Sequence, residues 1–509
     1  MKRYSSLRKV ISVLTAIVIT APVCVINATA FSQDTVTENP NCIAYNQDFY
    51  NANTELCNTI KEGMQNMQTE IDIEKYQLTI NDVKTAMRTV IEMNPELFYV
   101  SKTTFSCAVG TCVARLVPKY TYSVDRISVM REELNNRTNE ILENITPDMS
   151  DFQKAAIIHD EIVLGCEYSN SPDSQFTRTS VYDCLVNGYA NCQGYSSALS
   201  YMLEQVGIKS EIVESSQMNH IWNLVAIDGK YYHVDATFDD PTPDRFGYVS
   251  HKYFLLSDGA IKTSPNISAH YGFRTINAAD STVYDNSYYQ TINTKLCYVD
   301  DFFYAADNNY GSDYAKKLVA LDPESDFVEP VAEISDKWYT GDGLSYWQDS
   351  FISVDEFNGS VYFNLNNAVC KYNVADGTVN RITNITDTSG NTYIYGMRLN
   401  KTGKLLIDVK KSPTDFSNAV VTETLPETNY EQLDIGLGKG NSAVTPHILS
   451  GDINEDSILS VLDVTLLQMI CSGSLEPTKT QELAADFNDD GKIDVNDATA
   501  LQMALTNPN

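Results

Sequence analysis

Apolar residues recur at three- and four-residue steps in two segments of the chain, which is the spacing of one buried helix face. The first segment spans 82–91, and its apolar positions are Val83, Ala86, Met87, Val90 and Ile91. It lies within a stretch of mixed pattern from residue 41 to residue 145. We predict an N-terminal α+β region there, with a structural role and no chemistry of its own.

The second helical pattern begins directly after Cys192 and ends at Gly207, which supplies a stop signal. Its apolar positions are Tyr195, Ala198, Leu199, Met202, Leu203 and Val206. Cys192 is therefore predicted at a helix N-terminus, where the helix dipole favours a thiolate. A thiolate in such a position is a nucleophile.

Two strand-like runs, 221–227 and 230–234, flank the dipeptide Asp228-Gly229. Asp-Gly between alternating apolar runs is a strong signal for a two-residue hairpin turn. The sequence therefore predicts a hairpin in which Ile227 faces Lys230.

The predicted register places His220 opposite Thr237, with Asp235 as its diagonal neighbour on the same sheet face. Diagonal neighbours have backbones about 7–8 Å apart, a distance that side chains can bridge. His233 lies one step further along that face, too far to orient His220. The geometry thus selects Asp235 as the partner of His220.

Between residues 284 and 424, short β-prone runs alternate with turns such as Asp376-Gly377. We predict an all-β module, for which propeller blades are one arrangement. Residues 425–448 include the glycine-rich stretch 436–442 and have the composition of a linker. The segment 449–509 is predicted to be a separate small domain.

Two segments near the C-terminus repeat one pattern of oxygen-bearing residues, and each precedes an apolar helical run. Calcium takes six to eight oxygen ligands, and a loop offering them at positions 1, 3, 5, 7, 9 and 12 wraps the ion, with position 7 contributing its backbone carbonyl. In the first loop these positions are Asp452, Asn454, Asp456, Ile458, Ser460 and Asp463. In the second they are Asp486, Asn488, Asp490, Lys492, Asp494 and Asp497. The tandem match predicts two calcium ions rather than two merely acidic, solvated loops.

The charge of the chain narrows the choice of partners. Its 67 acidic and 36 basic residues give a formal net charge of −31, and no basic stripe accompanies it. This balance argues against nucleic acid or an anionic membrane as a partner.

The first thirty residues read as a signal peptide. A basic start is followed by the apolar run from Val10 to Val23 and by a small-residue cleavage site at Ala28-Thr29-Ala30. The run is shorter than the roughly 20 residues that a membrane span needs. We predict an exported protein without a membrane anchor.

Eleven cysteines are present, and outside the cell some are expected to pair. Close spacing suggests Cys107 with Cys112 and Cys42 with Cys57, although spacing does not decide connectivity.

Cys192, His220 and Asp235 have the side chains of a cysteine-based catalytic triad. His220 would take the thiol proton, Asp235 would hold the imidazole tautomer, and the thiolate would attack an amide carbonyl to give a thioester. The Cys192 backbone N–H is one expected oxyanion donor, and Tyr182 is a second hypothesis. His159 is expected to be a helix residue rather than a second base. Against the triad stands the plainer interpretation that a secreted cysteine is half of a disulfide and a lone histidine is structural.

Two parts of the chain resemble known families. The stretch from Asp151 to Pro241 resembles the transglutaminase-like superfamily, whose core carries Cys, His and Asp in this order. The tandem calcium loops, each ending in aspartate, resemble a type I dockerin. These resemblances imply an α+β protein with a papain-like or transglutaminase-like domain at 148–276, a β-rich middle module and a small α-helical dockerin at 449–509.

The resemblances also imply a function. We expect a secreted, cellulosome-associated thiol enzyme that acts on protein or peptide amide bonds and docks through a cohesin of a scaffoldin. Hydrolysis and acyl transfer diverge only when the thioester is resolved, and the sequence leaves that choice open. The alternative from another class is a catalytically inactive peptide- or polysaccharide-binding component.

Overall fold

The computed structural model describes part of the 509 residues. Described are 21–22 and 49–506, except for gaps at 108–112, 171–177, 264–266, 276, 309–315, 326, 335, 341–344, 348–349, 385–391, 414–419, 425–430, 434–450, 452, 455–458, 476, 478–480, 482–483 and 489–491. The predicted cleavage site at 28–30 and the glycine-rich stretch 436–442 lie outside these ranges. Within the described residues, no helix is long and apolar enough to cross a membrane.

The chain divides into two compact units. The first comprises residues 1–240 and 253–283, and the second comprises 241–252 and 284–509. The catalytic candidates all fall in the first unit, and the calcium loops fall in the second.

The N-terminal part of the first unit is a mixed α and β layer. Its core is formed by apolar side chains from three helices and the sheet beside them, including Leu56, Val83, Ile127 and Leu116. Its elements are helices α1 (Thr54–Gln65), α2 (Ile80–Glu92) and α3 (Val124–Leu142), and strands β1 (Ala21–Pro22), β2 (Ile71–Asp72), β3 (Val100–Cys107) and β4 (Val113–Tyr120), in the order β1-β3-β4-β2.

The predicted helix over 82–91 is confirmed within α2. Its buried face includes Val83, Ala86, Met87 and Val90, as the spacing required. Its start is fixed by Thr79, whose side chain accepts the N–H of Asp82 in a reciprocal capping box.

The C-terminal part of the first unit packs helices against a four-stranded antiparallel sheet. Its helices are α4 (Asp151–Gly165), α5 (Cys192–Gln205), α6 (Ala236–Asp239) and α7 (Asp258–Thr263). Its strands are β7 (Ser210–Ser215), β8 (His220–Ile227), β9 (Lys230–Val234) and β10 (Phe254–Leu256), in the order β10-β9-β8-β7, together with the parallel pair β5 (Glu167–Tyr168) and β6 (Tyr189–Ala190).

The hairpin of β8 and β9 has the predicted register. Ile227 faces Lys230 and Leu224 faces His233. Asp228 and Gly229 both have positive φ angles, 49° and 76°, as a tight hairpin turn of matching twist requires.

The predicted position of Thr237 opposite His220 is wrong, because β9 ends at Val234 and the chain turns into α6. The side chain of Asp235 caps that short helix by accepting the N–H groups of Thr237 and Phe238, both at 3.1 Å. His220 pairs instead with Ser215 on β7.

The middle of the second unit consists of three antiparallel sheets, in agreement with the β-rich pattern. Their orders are β11-β12-β13-β14, β15-β16-β17-β18-β22 and β19-β20-β21. The strands are β11 (Cys297–Val299), β12 (Phe302–Asp307), β13 (Lys317–Asp322), β14 (Phe327–Glu333), β15 (Val354–Phe357), β16 (Ser360–Asn364), β17 (Ala368–Asn373), β18 (Thr378–Asn384), β19 (Tyr393–Leu399), β20 (Lys404–Lys410), β21 (Val420–Thr424) and β22 (Glu431–Leu433). The linker predicted over 425–448 therefore contains a strand, β22, which pairs with β18.

The C-terminal segment is built around two helices, α8 (Val461–Cys471) and α9 (Val495–Thr506). Its buried core consists of Ile453, Val464, Leu467, Ala484, Ala485, Ala498 and Leu501. Each helix follows one of the predicted calcium loops, as expected.

The proposed pairing of Cys42 with Cys57 is wrong, because Cys57 is a buried free thiol. Cys42, Cys112 and the side chain of Cys107 lie outside the described residues. Cys192 is also free, so the interpretation of Cys192 as half of a disulfide does not hold for the structure.

Gly194 yields a test of how tightly the start of α5 is packed. A Cβ added at Gly194 would lie 2.6 Å from the Cβ of Ala190 and 3.1 Å from the carbonyl oxygen of Arg178. We expect Gly194→Ala to lower the free energy of unfolding by about 1–3 kcal/mol, because the helix start must shift to relieve the overlap. Chemical denaturation measures this, with Gly259→Ala as control, since its Cβ would meet only the Ser257 hydroxyl at 3.5 Å. Equal stability of the two variants would contradict the prediction.

Candidate active site

The structure brings Cys192, His220 and Asp235 together. Cys192 is the first residue of α5, His220 is the first residue of β8, and Asp235 directly follows β9. His220 Nε2 lies 2.6 Å from Asp235 Oδ2, and Cys192 is near enough to the same imidazole to contribute to raising its pKa. Because Nε2 faces the carboxylate, Nδ1 is left for the sulfur.

Asn191 shapes the start of α5 in a way that leaves one N–H available. Its side-chain Oδ1 accepts the N–H groups of Gln193 and Gly194 at 3.1 and 3.4 Å. The first residues of a helix have no intrahelical partners for their N–H groups. The Cys192 N–H has no acceptor among the described residues, and it therefore suits an oxyanion bound at the sulfur.

Asp235 is held by its own backbone surroundings. Its Oδ1 accepts the N–H groups of Thr237 and Phe238, and its own N–H donates to the Tyr253 carbonyl at 3.0 Å. The side chain is completely buried. These bonds fix the direction in which Oδ2 points toward His220.

The charges of this buried pair support each other. Burial alone disfavours the charged forms, but the adjacent Asp235 carboxylate outweighs it and raises the pKa of His220 to about 10. Burial likewise opposes ionisation of Asp235, yet the facing His220 lowers the pKa of Asp235 to about 2. At neutral pH the pair is a carboxylate beside an imidazolium.

His270 is a fourth member of the cluster, which the sequence analysis missed. Its Nε2 lies 2.8 Å from Asp235 Oδ2, and its Nδ1 lies 3.1 Å from the Ser268 carbonyl oxygen. No periodicity or turn signal links residue 270 to the hairpin, since the segment 241–252, the strand β10 and the helix α7 separate the two along the chain. His220, Asp235 and His270 are of types that bind metals, but Asp235 Oδ2 is already bonded to both imidazoles, so we do not assign a metal to them.

His233 takes no part in orienting His220, in agreement with the register argument. Its Nδ1 accepts the indole N–H of Trp222 at 3.0 Å, and its Nε2 lies 2.9 Å from Asp258 Oδ1. Burial lowers the pKa of His233, although the Asp258 carboxylate opposes the shift. An accepting Nδ1 identifies the neutral ring.

His159 is a helix residue, as expected, and two carboxylates bind its ring. Its ring lies on α4 with Nδ1 2.9 Å from Asp160 Oδ1 and Nε2 3.2 Å from Asp239 Oδ2. Burial lowers the pKa of His159, but these two carboxylates together raise it to about 9. Asp239 also accepts the N–H of Tyr253 at 3.0 Å. His159 therefore ties α4 to the short helix that follows Asp235.

The hypothesis that Tyr182 is a second oxyanion donor is wrong. Its hydroxyl is bonded to Glu133 and, at 3.3 Å, to Arg126, both on α3. Its ring stacks on Phe98, with centroids 5.1 Å apart. These contacts direct the hydroxyl to α3 rather than to the sulfur.

An apolar wall adjoins the imidazole of His220. The Trp222 ring stacks against it at 5.7 Å between centroids, and Phe238 lies 4.6 Å away while 38 % exposed. Cys192 itself is partly exposed. The site thus has a partly exposed thiol and an imidazole that is shielded from water.

In the C-terminal segment, two aspartates organise the predicted calcium loops. Asp463 accepts the N–H groups of Ile453, Asn454 and Ser460, at 3.0, 3.1 and 2.7 Å. Asp497 accepts those of Asn488 and Asp494, at 3.1 and 2.8 Å. Both carboxylates are completely buried, so the two repeats share one internal arrangement.

The other predicted ligands are only partly described. Asn454, Ser460, Asp486, Asn488, Lys492 and Asp494 lie within the described residues, whereas Asp452, Asp456, Ile458 and Asp490 lie outside them. The described donors are carboxylate, amide and hydroxyl oxygens, apart from the carbonyl expected of Lys492. This set fits a hard cation such as calcium.

Comparison with family models matches two regions. Residues 136–236 match the core of the transglutaminase-like superfamily, and residues 450–506 match the type I dockerin domain. The first region contains Cys192, His220 and Asp235, and the second contains both calcium loops.

A curated relative is kyphoscoliosis peptidase from Mus musculus, 23 % identical over 166 residues. The match covers 29 % of this chain and 25 % of the relative, so the chain spans only a quarter of that protein's length.

Solved structures similar to part of this chain include a TGase, with 11 % identity, a TM-score of 0.20, and coverage of 27 % of this chain and 44 % of that chain. Another is a cysteine-protease candidate from Cytophaga hutchinsonii, with 18 % identity, a TM-score of 0.18, and coverage of 26 % and 54 %. By its family matches, this α+β chain carries a core of the transglutaminase-like superfamily and a C-terminal type I dockerin domain.

Proposed function

We propose that this chain is a secreted, cellulosome-associated cysteine enzyme that attacks amide bonds of proteins or peptides through a thioester. The observation that carries the proposal is the convergence of Cys192, at the start of α5, with His220, whose Nε2 lies 2.6 Å from the buried Asp235 carboxylate. A nucleophile, a base and an orienting carboxylate in hydrogen-bonding contact are the minimum for this chemistry.

In the acylation step, His220 acts as the imidazolium that already holds the Cys192 proton, and the Cys192 thiolate attacks the amide carbonyl carbon. The Cys192 N–H would receive the developing oxyanion. Collapse of the intermediate breaks the C–N bond, and the imidazolium returns its proton to the leaving nitrogen. The acyl group then remains on sulfur as a thioester.

The thioester is resolved by the next nucleophile to reach it. Water gives hydrolysis, which for a backbone amide is peptide cleavage and for a glutamine side chain is deamidation. A lysine amine gives an isopeptide cross-link instead. In each case His220 takes the proton of the attacking group, and departure of the sulfur restores the thiolate beside the imidazolium.

The dockerin supplies the location of the enzyme. Type I dockerin domains are calcium-binding modules that bind cohesins, so the partner we propose is a cohesin of a scaffoldin. The groups that would hold two ions are the side-chain oxygens at positions 1, 3, 5, 9 and 12 of each loop. The backbone carbonyls of Ile458 and Lys492 would complete the two sets. In each described loop, the residues at positions 9 and 12 already hold the following helix start, so ion binding would stabilise the helices.

A direct test of the activity is incubation of the protein with a glutamine-containing peptide, with and without an amine donor. Backbone cleavage, ammonia release alone, or amine incorporation separates peptidase, deamidase and cross-linking reactions. The amide-attacking proposal is abandoned if the wild-type protein gives none of the three.

Cys192→Ala is expected to abolish turnover and to remove one site of thiol alkylation. Among cysteines that the structure describes, only Cys192 and Cys471 are partly exposed. Cys471→Ser is therefore the matched control, which should lose a comparable amount of label and retain activity. If labelling by iodoacetamide is unchanged by Cys192→Ala, the thiol is not the accessible nucleophile and the inactive binding module is favoured.

Asp235→Asn is expected to lower kcat by roughly 10²–10⁴-fold, because the amide cannot hold the same imidazole tautomer. It also removes the charge that raises the pKa of His220 to about 10. The imidazolium is then lost at lower pH, so the alkaline limb of kcat/KM should move down by about two pH units or more. Asp258→Asn, which alters the carboxylate beside His233, is the control and should leave the limb in place. An unmoved limb in Asp235→Asn would count against the assigned acid–base pair.

Asp490→Ala removes a side chain at loop position 5 and is expected to weaken calcium binding to the second loop. The neighbouring Asp489→Ala, at position 4, changes the net charge equally and should bind calcium as the wild type does. Isothermal titration calorimetry on the full chain distinguishes them, with two sites expected in the control and one strong site in Asp490→Ala. Chelation should also lower the helical circular dichroism signal. Equal binding by the two variants would refute the ligand assignment.

A further inference from the structure

His270 occupies a place that the proposed mechanism does not use. Its side chain is completely enclosed, with Trp222 at 4.8 Å, Phe238 at 5.0 Å and Tyr253 at 5.4 Å between ring centroids. A polar ring in such surroundings needs hydrogen-bond partners for its nitrogens. Both partners are present.

The two partners of His270 fix where its protons lie. Nδ1 lies 3.1 Å from the Ser268 carbonyl oxygen, which can only accept, so Nδ1 carries a hydrogen. Nε2 lies 2.8 Å from Asp235 Oδ2. If Asp235 is ionised, that oxygen also only accepts, and Nε2 carries a hydrogen as well.

The other contacts of Asp235 indicate that it is ionised. Oδ1 receives two backbone N–H groups, from Thr237 and Phe238, and Oδ2 receives both imidazoles. Hydrogen bonds to the charged form of a carboxylate stabilise that form. A protonated Asp235 would have one hydrogen for an oxygen that faces two ring nitrogens.

We propose that His270 is a positioning residue that, as an imidazolium, holds Oδ2 of Asp235 in the orientation that His220 requires and shares its negative charge. The arrangement is then one buried carboxylate between two imidazoliums. His270 contacts Asp235 and acts on His220 through that carboxylate. The catalytic consequence rests on the proposed function, whereas the arrangement of protons does not.

Sharing the carboxylate has a defined effect on His220. A positive charge on His270 lies close to His220, with ring centroids 5.7 Å apart. This charge disfavours protonation of His220. A charged His270 therefore lowers the pKa of His220, which Asp235 raises. The ionisable groups that face or adjoin His270 across the packed elements are Asp235, His220, His233 and Tyr253.

The proton arrangement can be observed without a substrate. The chain has six histidines, so ring-¹⁵N-labelled full-length protein gives a spectrum that single His→Gln variants can assign. At pH 7 we expect both ring nitrogens of His270 to carry hydrogen. A His270 ring with only one protonated nitrogen overturns the proposal.

Two variants separate the contacts of His270. In His270→Gln the amide nitrogen can take the place of Nε2 and donate to Asp235 without a charge. In His270→Asn the amide nitrogen lies near the place of Nδ1, so the contact with Ser268 is favoured and that with Asp235 is lost. His270→Gln should raise the titration midpoint of His220 and the alkaline limb of kcat/KM by roughly one to two pH units, the size expected for a positive charge lost at this distance. His270→Asn should show a lower kcat than His270→Gln at the optimum of each.

His233→Gln is the matched control, because His233 is an equally buried histidine whose ring nitrogens bond to Trp222 and Asp258 and not to Asp235. A purely structural His270 would lower the unfolding midpoint in both substitutions and leave the His220 midpoint where it is in the wild type. That result would overturn the proposal. If one variant does not fold, the wild-type spectrum and the other variant still decide.

The outcome also separates this proposal from the proposed function. If His270 is doubly protonated but the protein turns over no amide substrate, the proposed enzymatic function is refuted and the proposed proton arrangement is supported. An active enzyme with a neutral His270 does the reverse.

Discussion

The Asp235 carboxylate is the point on which the candidate site depends. It is completely buried and accepts hydrogen bonds from two backbone N–H groups and from two imidazoles. A buried charge is costly unless every lone pair finds a partner. Neighbouring groups offset this cost, because the Asp235 side chain caps the start of α6 and also bonds to His220. Loss of Asp235 would therefore disturb the helix start and the base together.

A second buried ionic group supports the first. His159 joins α4 to Asp239 at the end of α6, and Asp239 accepts the N–H of Tyr253. The Tyr253 carbonyl in turn accepts the N–H of Asp235. The four-residue helix α6 is thus held by Asp235 at its start and by the contact of Asp239 with His159 at its end. Such closed networks confer a single geometry on the side chains within them.

The sequence predicted the parts of the site that follow from local rules. The Asp228-Gly229 turn fixed the pairing of β8 with β9, and the apolar spacing placed Cys192 at the start of α5. Thr237 was misplaced because Asp235 prefers to cap a helix, a choice that strand periodicity does not reveal. Tyr182 was misassigned because its partners lie on α3, far away in sequence. His270 could not be found at all, since its contact with Asp235 depends on how the chain returns after α7.

The division of the chain into units has a consequence for dissecting it. The segment 241–252 lies between Asp240 and Tyr253 of the first unit but belongs to the second, where Gly247 packs closely against Ser353 and Met397. The polypeptide therefore passes between the units three times, at 240–241, 252–253 and 283–284. A fragment that ends at residue 283 would keep Cys192, His220 and Asp235. It would also keep the twelve residues 241–252, but without the residues of the second unit on which they pack. Shortening that segment to a brief loop, anchored at Asp239 and Tyr253, is the logical way to obtain the first unit alone.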